Sequence, residues 1–236
     1  MKYRLSILYS LLVLCGLSAC KQNYAVPNPP GHPPALDVIN ATADTLDYFI
    51  NGTRQNNTSD IYPNGATSYA NVLFGTGSYS FKRAGYPAVL FKQSITLDTT
   101  KLYSLFICGT SADKTFLNTD DFSPVVAIDT MPGKAALRFV NASPAAGNIN
   151  FVVTAGKTVT NQTGCAFQYV SPFMALKDTL SDVKVYSTSP LALLKDTTIS
   201  LISGQIYTLF SKGTPGGKGG GAFGVVLITN PVTISQ

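Results

Sequence analysis

Leu137-Arg138-Phe139-Val140-Asn141-Ala142-Ser143 repeats, 101 residues later, the stretch Leu36-Asp37-Val38-Ile39-Asn40-Ala41-Thr42. Both read as short, largely apolar strands ending on an Asn and two small residues. Tyr103-Ser104-Leu105-Phe106 returns as Tyr207-Thr208-Leu209-Phe210, and Gly109-Thr110 as Gly213-Thr214, at an offset of 104. Phe122 with Val125-Val126-Ala127-Ile128 matches Phe223 with Val225-Val226-Leu227-Ile228, again at 101. Matches in one order at nearly constant spacing mark an internal duplication. Each unit is about 100 residues, the size of one β-sandwich domain.

Composition agrees with strands. Of 236 residues, 45% are apolar and only 12% charged; all twelve acids are Asp, and Trp and Glu are absent. Such a chain lacks the residues that fill exposed helix faces and is rich in those that suit a pleated surface. This argues against helical bundles, coiled coils and long disordered chains. In the first unit the expected strands are Leu36–Ala41, Leu46–Ile50, Tyr69–Phe74, Ser78–Arg83, Val89–Leu97, Leu102–Cys108 and Phe122–Asp129. In the second they are Ala136–Asn141, Ile149–Thr154, Cys165–Val170, Phe173–Leu176, Val183–Ser187, Leu193–Leu201, Ile206–Ser211 and Ala222–Thr229. Asn51-Gly52, Asn64-Gly65, Gly75-Thr76-Gly77 and Ala84-Gly85 supply turns between them. Alternation puts Tyr103, Leu105 and Ile107 on the core face, with Tyr207 and Leu209 in the copy. Cys108 becomes Lys212 in the copy, so the opposite face is expected nearer solvent.

Met1 to Cys20 reads as an export signal. Lys2 and Arg4 precede a broken apolar run, and the 15 residues from Leu5 to Ala19 fall short of the ~20 that span a bilayer. Leu17-Ser18-Ala19-Cys20 resembles the bacterial lipoprotein processing box. That resemblance implies a diacylglyceryl group on the Cys20 thiol, cleavage before Cys20 and acylation of the new amine. The alternative is an ordinary cleavage site with an incidental Cys. Several acyl chains make a lasting membrane anchor, and Lys21, where Asp would signal inner-membrane retention in enterobacteria, favours the outer membrane. Loss of residues 1–19 removes Lys2 and Arg4, leaving fifteen cations and twelve aspartates, a formal charge of +3. No basic cluster interleaved with aromatics remains, so nucleic acid is excluded as a partner. Pro27, Pro29, Pro30, Pro33 and Pro34 make Lys21 to Ala35 a semi-stiff stalk. The organisation is a signal peptide (1–19), a lipidated Cys and Pro-rich linker (20–35), and two tandem immunoglobulin-like β-sandwiches (36–130 and 131–236).

The phrase Leu137-Arg138-Phe139-Val140-Asn141-Ala142-Ser143-Pro144 resembles the opening of a bacterial family called domain of unknown function 4397. So does Asp47-Tyr48-Phe49-Ile50-Asn51-Gly52 in the first unit, with Gly77-Ser78-Tyr79-Ser80-Phe81 following where the family has a Gly-x-Tyr strand start. The likeness covers about residues 36–129 and 136–230. The second unit departs from it, replacing the Asn-Gly turn by Thr154-Ala155-Gly156. The resemblance implies an exported β-domain, often in lipoproteins, with no established activity and no functional residues to carry over.

Candidate chemistry is sparse. The only His, His32, lies in the stalk as a solvated linker residue, which removes Ser-His-Asp and Cys-His sets and His/Cys metal clusters. Asp120-Asp121 is expected in a solvated loop; a weak Ca²⁺ site from Asn118, Asp120 and Asp121 is the alternative, without EF-hand spacing. Two aspartates could in principle serve a hydrolase, but adjacent side chains diverge along an extended chain. Gly213 to Gly224 fails the phosphate-loop spacing and reads as a mobile hairpin loop. Cys108 and Cys165 are expected as separate thiols, with a disulfide as the alternative that export permits.

Asp precedes Thr at Thr45, Thr99, Thr130, Thr179 and Thr197, resembling the Bacteroidota O-glycosylation signal; turn chemistry is the competing explanation. Asn40 and Asn141, although within Asn-x-Ser/Thr tripeptides along with Asn51 and Asn161, are expected to bend the chain after each first strand. The leading functional expectation is a non-catalytic, lipid-anchored envelope protein whose paired domains bind or space, with no cofactor and no metal. Its partners are the membrane through the anchor and a glycan or envelope protein. The alternative is carbohydrate or peptide binding through Tyr62, Tyr69, Tyr86 or Tyr169.

Overall fold

The computed structural model describes residues 31–230; Cys20, the export signal and most of the Pro-rich segment lie outside them. From Pro33 the described chain forms one compact unit. Its first repeat contains β1 (Ala35–Asn40), β2 (Leu46–Ile50), β3 (Thr53–Arg54), β4 (Ala70–Asn71), β5 (Gly75–Arg83), β6 (Val89–Leu97), β7 (Leu102–Ile107) and β8 (Thr115–Asp120). The second contains β9 (Lys134–Asn141), β10 (Ile149–Ala155), β11 (Thr158–Cys165), β12 (Met174–Lys177), β13 (Leu180–Thr188), β14 (Leu191–Ser200), β15 (Ile206–Lys212) and β16 (Gly224–Thr229).

The sheets are β4-β1-β7-β8 and β3-β2-β5-β6 in the first repeat, and β12-β9-β15-β16 and β11-β10-β13-β14 in the second. The order is the same strand for strand. In each repeat the first strand pairs parallel with the seventh, Leu36 opposite Tyr103 and Leu137 opposite Tyr207; the other ladders are antiparallel. The chain is all-β, two immunoglobulin-like sandwiches in tandem. Leu36, Tyr48, Phe81 and Leu105 belong to the first core, and Leu137, Phe151, Val183 and Leu209 to the second.

The opposite face of β7 departs from the sequence expectation. Ser104 and Phe106 are fully buried, not near solvent. The sheets β4-β1-β7-β8 and β12-β9-β15-β16 turn their second faces toward one another. There Ile39, Phe106 and Phe116 meet Val140 and Phe210 in a third apolar cluster, with the Phe106 and Phe210 rings 6.2 Å apart. Strands buried on both sides carry near-continuous apolar runs, which is why Leu105-Phe106-Ile107 resists an inside–outside reading.

Two expected strands are corrected. Phe122–Asp129 contains two short 3-10 turns, Ser123–Val125 and Ile128–Thr130. The true partner of β7 is β8, with Leu105 opposite Leu117. The apolar run was a wedge: Phe122, Val125 and Ile128 pack with Ala136, Phe173 and Ile206 where the repeats join. In the second repeat the strand ends at Cys165, where one was expected to begin, because β11 follows the tight turn at Gly156 and pairs with β10.

Local chemistry matches other expectations. Asn51 and Gly52 both have positive φ, 50° and 84°, as a two-residue type I′ hairpin turn requires. Asn40 and Asn141 are fully buried and tie down the chain after β1 and β9. Asn40 Nδ2 donates to the carbonyls of Asp44 (2.7 Å) and Ile61 (2.9 Å). Asn141 Nδ2 donates to those of Gly147 (3.1 Å) and Cys165 (2.9 Å). Each side-chain oxygen accepts the N–H two residues on, from Thr42 and Ser143.

Candidate functional site

The largest cluster of interacting polar side chains lies inside the seam between repeats, assembled from corresponding strands. Asp37 on β1 is laddered to Ser104 on β7, as Arg138 on β9 is to Thr208 on β15. Asp120 stands opposite Leu102, and the Asn230 N–H donates to the carbonyl of Ile206, the residue corresponding to Leu102. Duplication has therefore placed two aspartates and a serine, Asp37, Asp120 and Ser104, against the same positions occupied by Arg138, Asn230 and Thr208. The two repeats present opposite charge to each other.

Arg138 is 1% exposed. Its Nη1 donates to Asp120 Oδ1, Nη2 to Ser104 Oγ at 2.8 Å and Nε to Thr208 Oγ1 at 2.8 Å. Thr208 Oγ1 donates onward to Asn230 Oδ1 at 2.7 Å. The guanidinium carbon lies 4.7 Å from the centre of the Phe173 ring, a cation–π arrangement that also keeps water away. Asp120 accepts further bonds from Tyr69 Oη and Ser104 Oγ, both 2.5 Å, and from Asn118 Nδ2 at 2.7 Å. Burial, and then the negative Asp120, hold the Tyr69 hydroxyl above its usual range. Burial also pushes the Asp37 carboxyl up to about 6, with Asp120 adding to the rise against Thr67 and Arg138. The arrangement is a multidentate clasp.

These positions correct the sequence reading of Asp120. It ends strand β8, buried and paired with Arg138, rather than lying in a solvated loop. Asn118, Asp120 and Asp121 do not converge as a Ca²⁺ site, since Asn118 donates to Asp120 while exposed Asp121 accepts the Ser123 N–H. Cys108 and Cys165 are free thiols; burial raises both, Cys165 to about 11. The glycine-rich loop is tied by 2.9 Å bonds from Thr214 N–H to the Gly221 carbonyl and from Phe223 N–H to the Thr214 carbonyl. Gly213 there has φ +70°, and a Cβ on it would meet the Ala222 carbonyl oxygen at 2.2 Å.

On the surface, Tyr62 and Tyr86 expose their rings. Tyr69 is committed to the seam, and partly buried Tyr169 donates from Oη to Gln162 at 2.6 Å. An open groove of about 480 Å³ lies between Thr53–Gln55 and Asn71–Leu73, floored by Ile50 and Val72. A narrower cleft of about 270 Å³ runs past Tyr48, Asn56, Asp60 and Thr67. Beside it Arg54 bridges Asp47 at 2.5 Å and Asp60 at 2.6 Å. Thr45, Thr99 and Thr179 are partly exposed in connections, Thr130 is exposed in a 3-10 turn, and Thr197 lies partly exposed on β14.

The profile of the family described as domain of unknown function (DUF4397) matches this chain twice, over residues 34–152 and 135–235. The chain belongs to the DUF4397 family. Among solved structures, it is similar to a structure titled for alpha-glucan recognition by family 41 carbohydrate-binding modules from streptococcal virulence factors. Identity is 14%, coverage 76% of this chain and 93% of that one, and the TM-score 0.26. It is also similar to a candidate cell adhesion protein from Bacteroides ovatus ATCC 8483, at 9% identity, 88% and 100% coverage and a TM-score of 0.26. No curated protein matches it.

Arg138 is the residue of this DUF4397 chain whose role the sequence reading missed, although it sits within the opening phrase. The available signal was the offset itself. Asp37 and Arg138 occupy one position of the duplicated strand, each alone among apolar neighbours, and opposite charges at a repeated buried position suggest that the repeats face each other.

Proposed function

We propose that this DUF4397 chain is a non-catalytic, lipid-anchored protein of the cell envelope, carried by Cys20 on the outer membrane, whose joined sandwiches serve as a binding or spacer module. The observation that carries this reading is the use made of the buried ion pair: Asp120 and Arg138, with side chains 0% and 1% exposed, hold one repeat to the other. A clasp of that kind makes the two repeats one body, which suits presentation or spacing beyond a membrane. The anchor rests on Leu17-Ser18-Ala19-Cys20. Its test is Cys20→Ser: the chain should leave the membrane fraction for the soluble one, and unchanged fractionation would refute the anchor.

Carbohydrate or peptide binding is the second reading, favoured by the exposed rings of Tyr62 and Tyr86, since aromatic faces stack on sugars and fill peptide interfaces. A glycan array and an envelope-protein pulldown with the tyrosines intact and with Tyr62→Ala and Tyr86→Ala separate it from a pure spacer. O-glycosylation at Thr45, Thr99, Thr130, Thr179 and Thr197 belongs to the same proposal. Intact mass from the native host should exceed the lipidated polypeptide by glycan increments; a mass equal to lipid plus chain removes it.

A further inference from the structure

The seam contains more negative than positive charge. Asp37 comes from β1, Asp120 from β8 and Arg138 from β9, while Tyr69 enters from the connection before β4. Tyr48 on β2 is near enough that Asp37 adds to the burial and the Tyr79 interaction that push it up to about 12. Arg138 directs its three nitrogens to Thr208, Asp120 and Ser104. Asp37, only 1% exposed, is supplied by Thr67, through one long side-chain bond from Oγ1 at 3.3 Å and a small contribution from its backbone. A buried carboxylate so poorly supplied with donors, beside a second carboxylate that holds the guanidinium, favours its neutral form. With both carboxylates ionised, the seam carries an excess negative charge away from water.

We propose that the seam between the repeats is an acid-tightened clasp, in which protonation of Asp37 strengthens docking of the first sandwich on the second and its ionisation loosens it. When the faces separate, Asp37 meets water and returns toward the ordinary carboxylate range, so the docked form holds the proton more tightly. Docking strength from this group is therefore fully present below the ordinary value of 3.8 and is lost as pH rises through about 6. With those two values for the open and docked forms, linkage gives about a fourfold increase in the opening equilibrium from pH 5.5 to pH 7.5. The acidic carboxylate is the variable element; Asp120, already bonded to Arg138, is the fixed one.

The molecule carries two reporters. Cys108 packs at the seam cluster, whereas Cys165 is enclosed in the second sandwich core. The purified full chain is labelled with a thiol reagent at both pH values. Each site is read by peptide mass spectrometry and normalised to a free cysteine at that pH. The expected result is a rise of about fourfold in Cys108 labelling at the higher pH, with Cys165 unchanged. Asp37→Asn, neutral throughout, should hold Cys108 near its acid-state rate at both values. A wild-type Cys108-to-Cys165 ratio that does not change with pH would overturn the clasp, and this needs no variant to fold. So would an Asp37→Asn chain that keeps the wild-type response.

Discussion

Truncating Asp120 to Ala tests the seam at its most loaded point. Side-chain exposure is 1% for Arg138 and 0% for Asp120, so the variant leaves a guanidinium enclosed without its bonded carboxylate. Tyr69 and Ser104 lose the same acceptor. Breaking a buried pair from one side costs about 3–5 kcal/mol. Asp37, the other carboxylate in the seam, draws the loss toward the lower figure. For a chain of this size that corresponds to a fall in Tm of about 6–20 °C. Calorimetry and urea denaturation followed by tyrosine fluorescence measure it. The companion experiment is the cycle with Arg138→Met and the double variant. If the pair acts as one unit, the double variant loses less than the two single losses added, by at least about 2 kcal/mol. Additive losses, or an Asp120→Ala loss below about 1 kcal/mol, would show that water reaches Arg138 and that the clasp contributes little.

Phe210→Ala removes a fully buried ring that packs against Phe106 across the seam, and should cost about 3–5 kcal/mol in urea midpoint measurements; a loss typical of a surface site would place the ring elsewhere. Asn141→Ala strands the carbonyls of Gly147 and Cys165 and should cost at least about 1–3 kcal/mol, with Asn40→Ala alike. Stability unchanged in both variants would reject the capping role. Gly213→Ala drives a Cβ into the Ala222 carbonyl oxygen, so the β15–β16 loop must rearrange. Proteolysis should then cut near Thr214 sooner than in wild type, and equal resistance would count against the tight packing there.

The duplication was legible because each repeat keeps its strand chemistry where one face meets its own core. Leu36 and Leu137, or Tyr103 and Tyr207, are matched to the residue, and β2 and β6 have the boundaries their patterns suggest. What stayed hidden was the second face. Ser104, Phe106 and Asp37 on one repeat meet Arg138, Thr208 and Phe210 on the other, and neither strand by itself says what will cover its outward side. A strand expected to face water on that side should alternate apolar with polar residues. Leu105-Phe106-Ile107 does not, and that failure of alternation was itself the sign of burial on both faces. The misplaced strand at Phe122–Asp129 has the same origin. Val125-Val126-Ala127-Ile128 is apolar because it fills the join between sandwiches, while the strand that pairs with β7, Thr115-Phe116-Leu117-Asn118-Thr119-Asp120, carries more polar residues since it ends in the clasp. Apolar content marked what is buried; it did not distinguish a ladder from a wedge. Asp120 follows from the same physics, since a carboxylate in a polar-looking run reads as solvated until its cation, 18 positions on in the next repeat, comes into view.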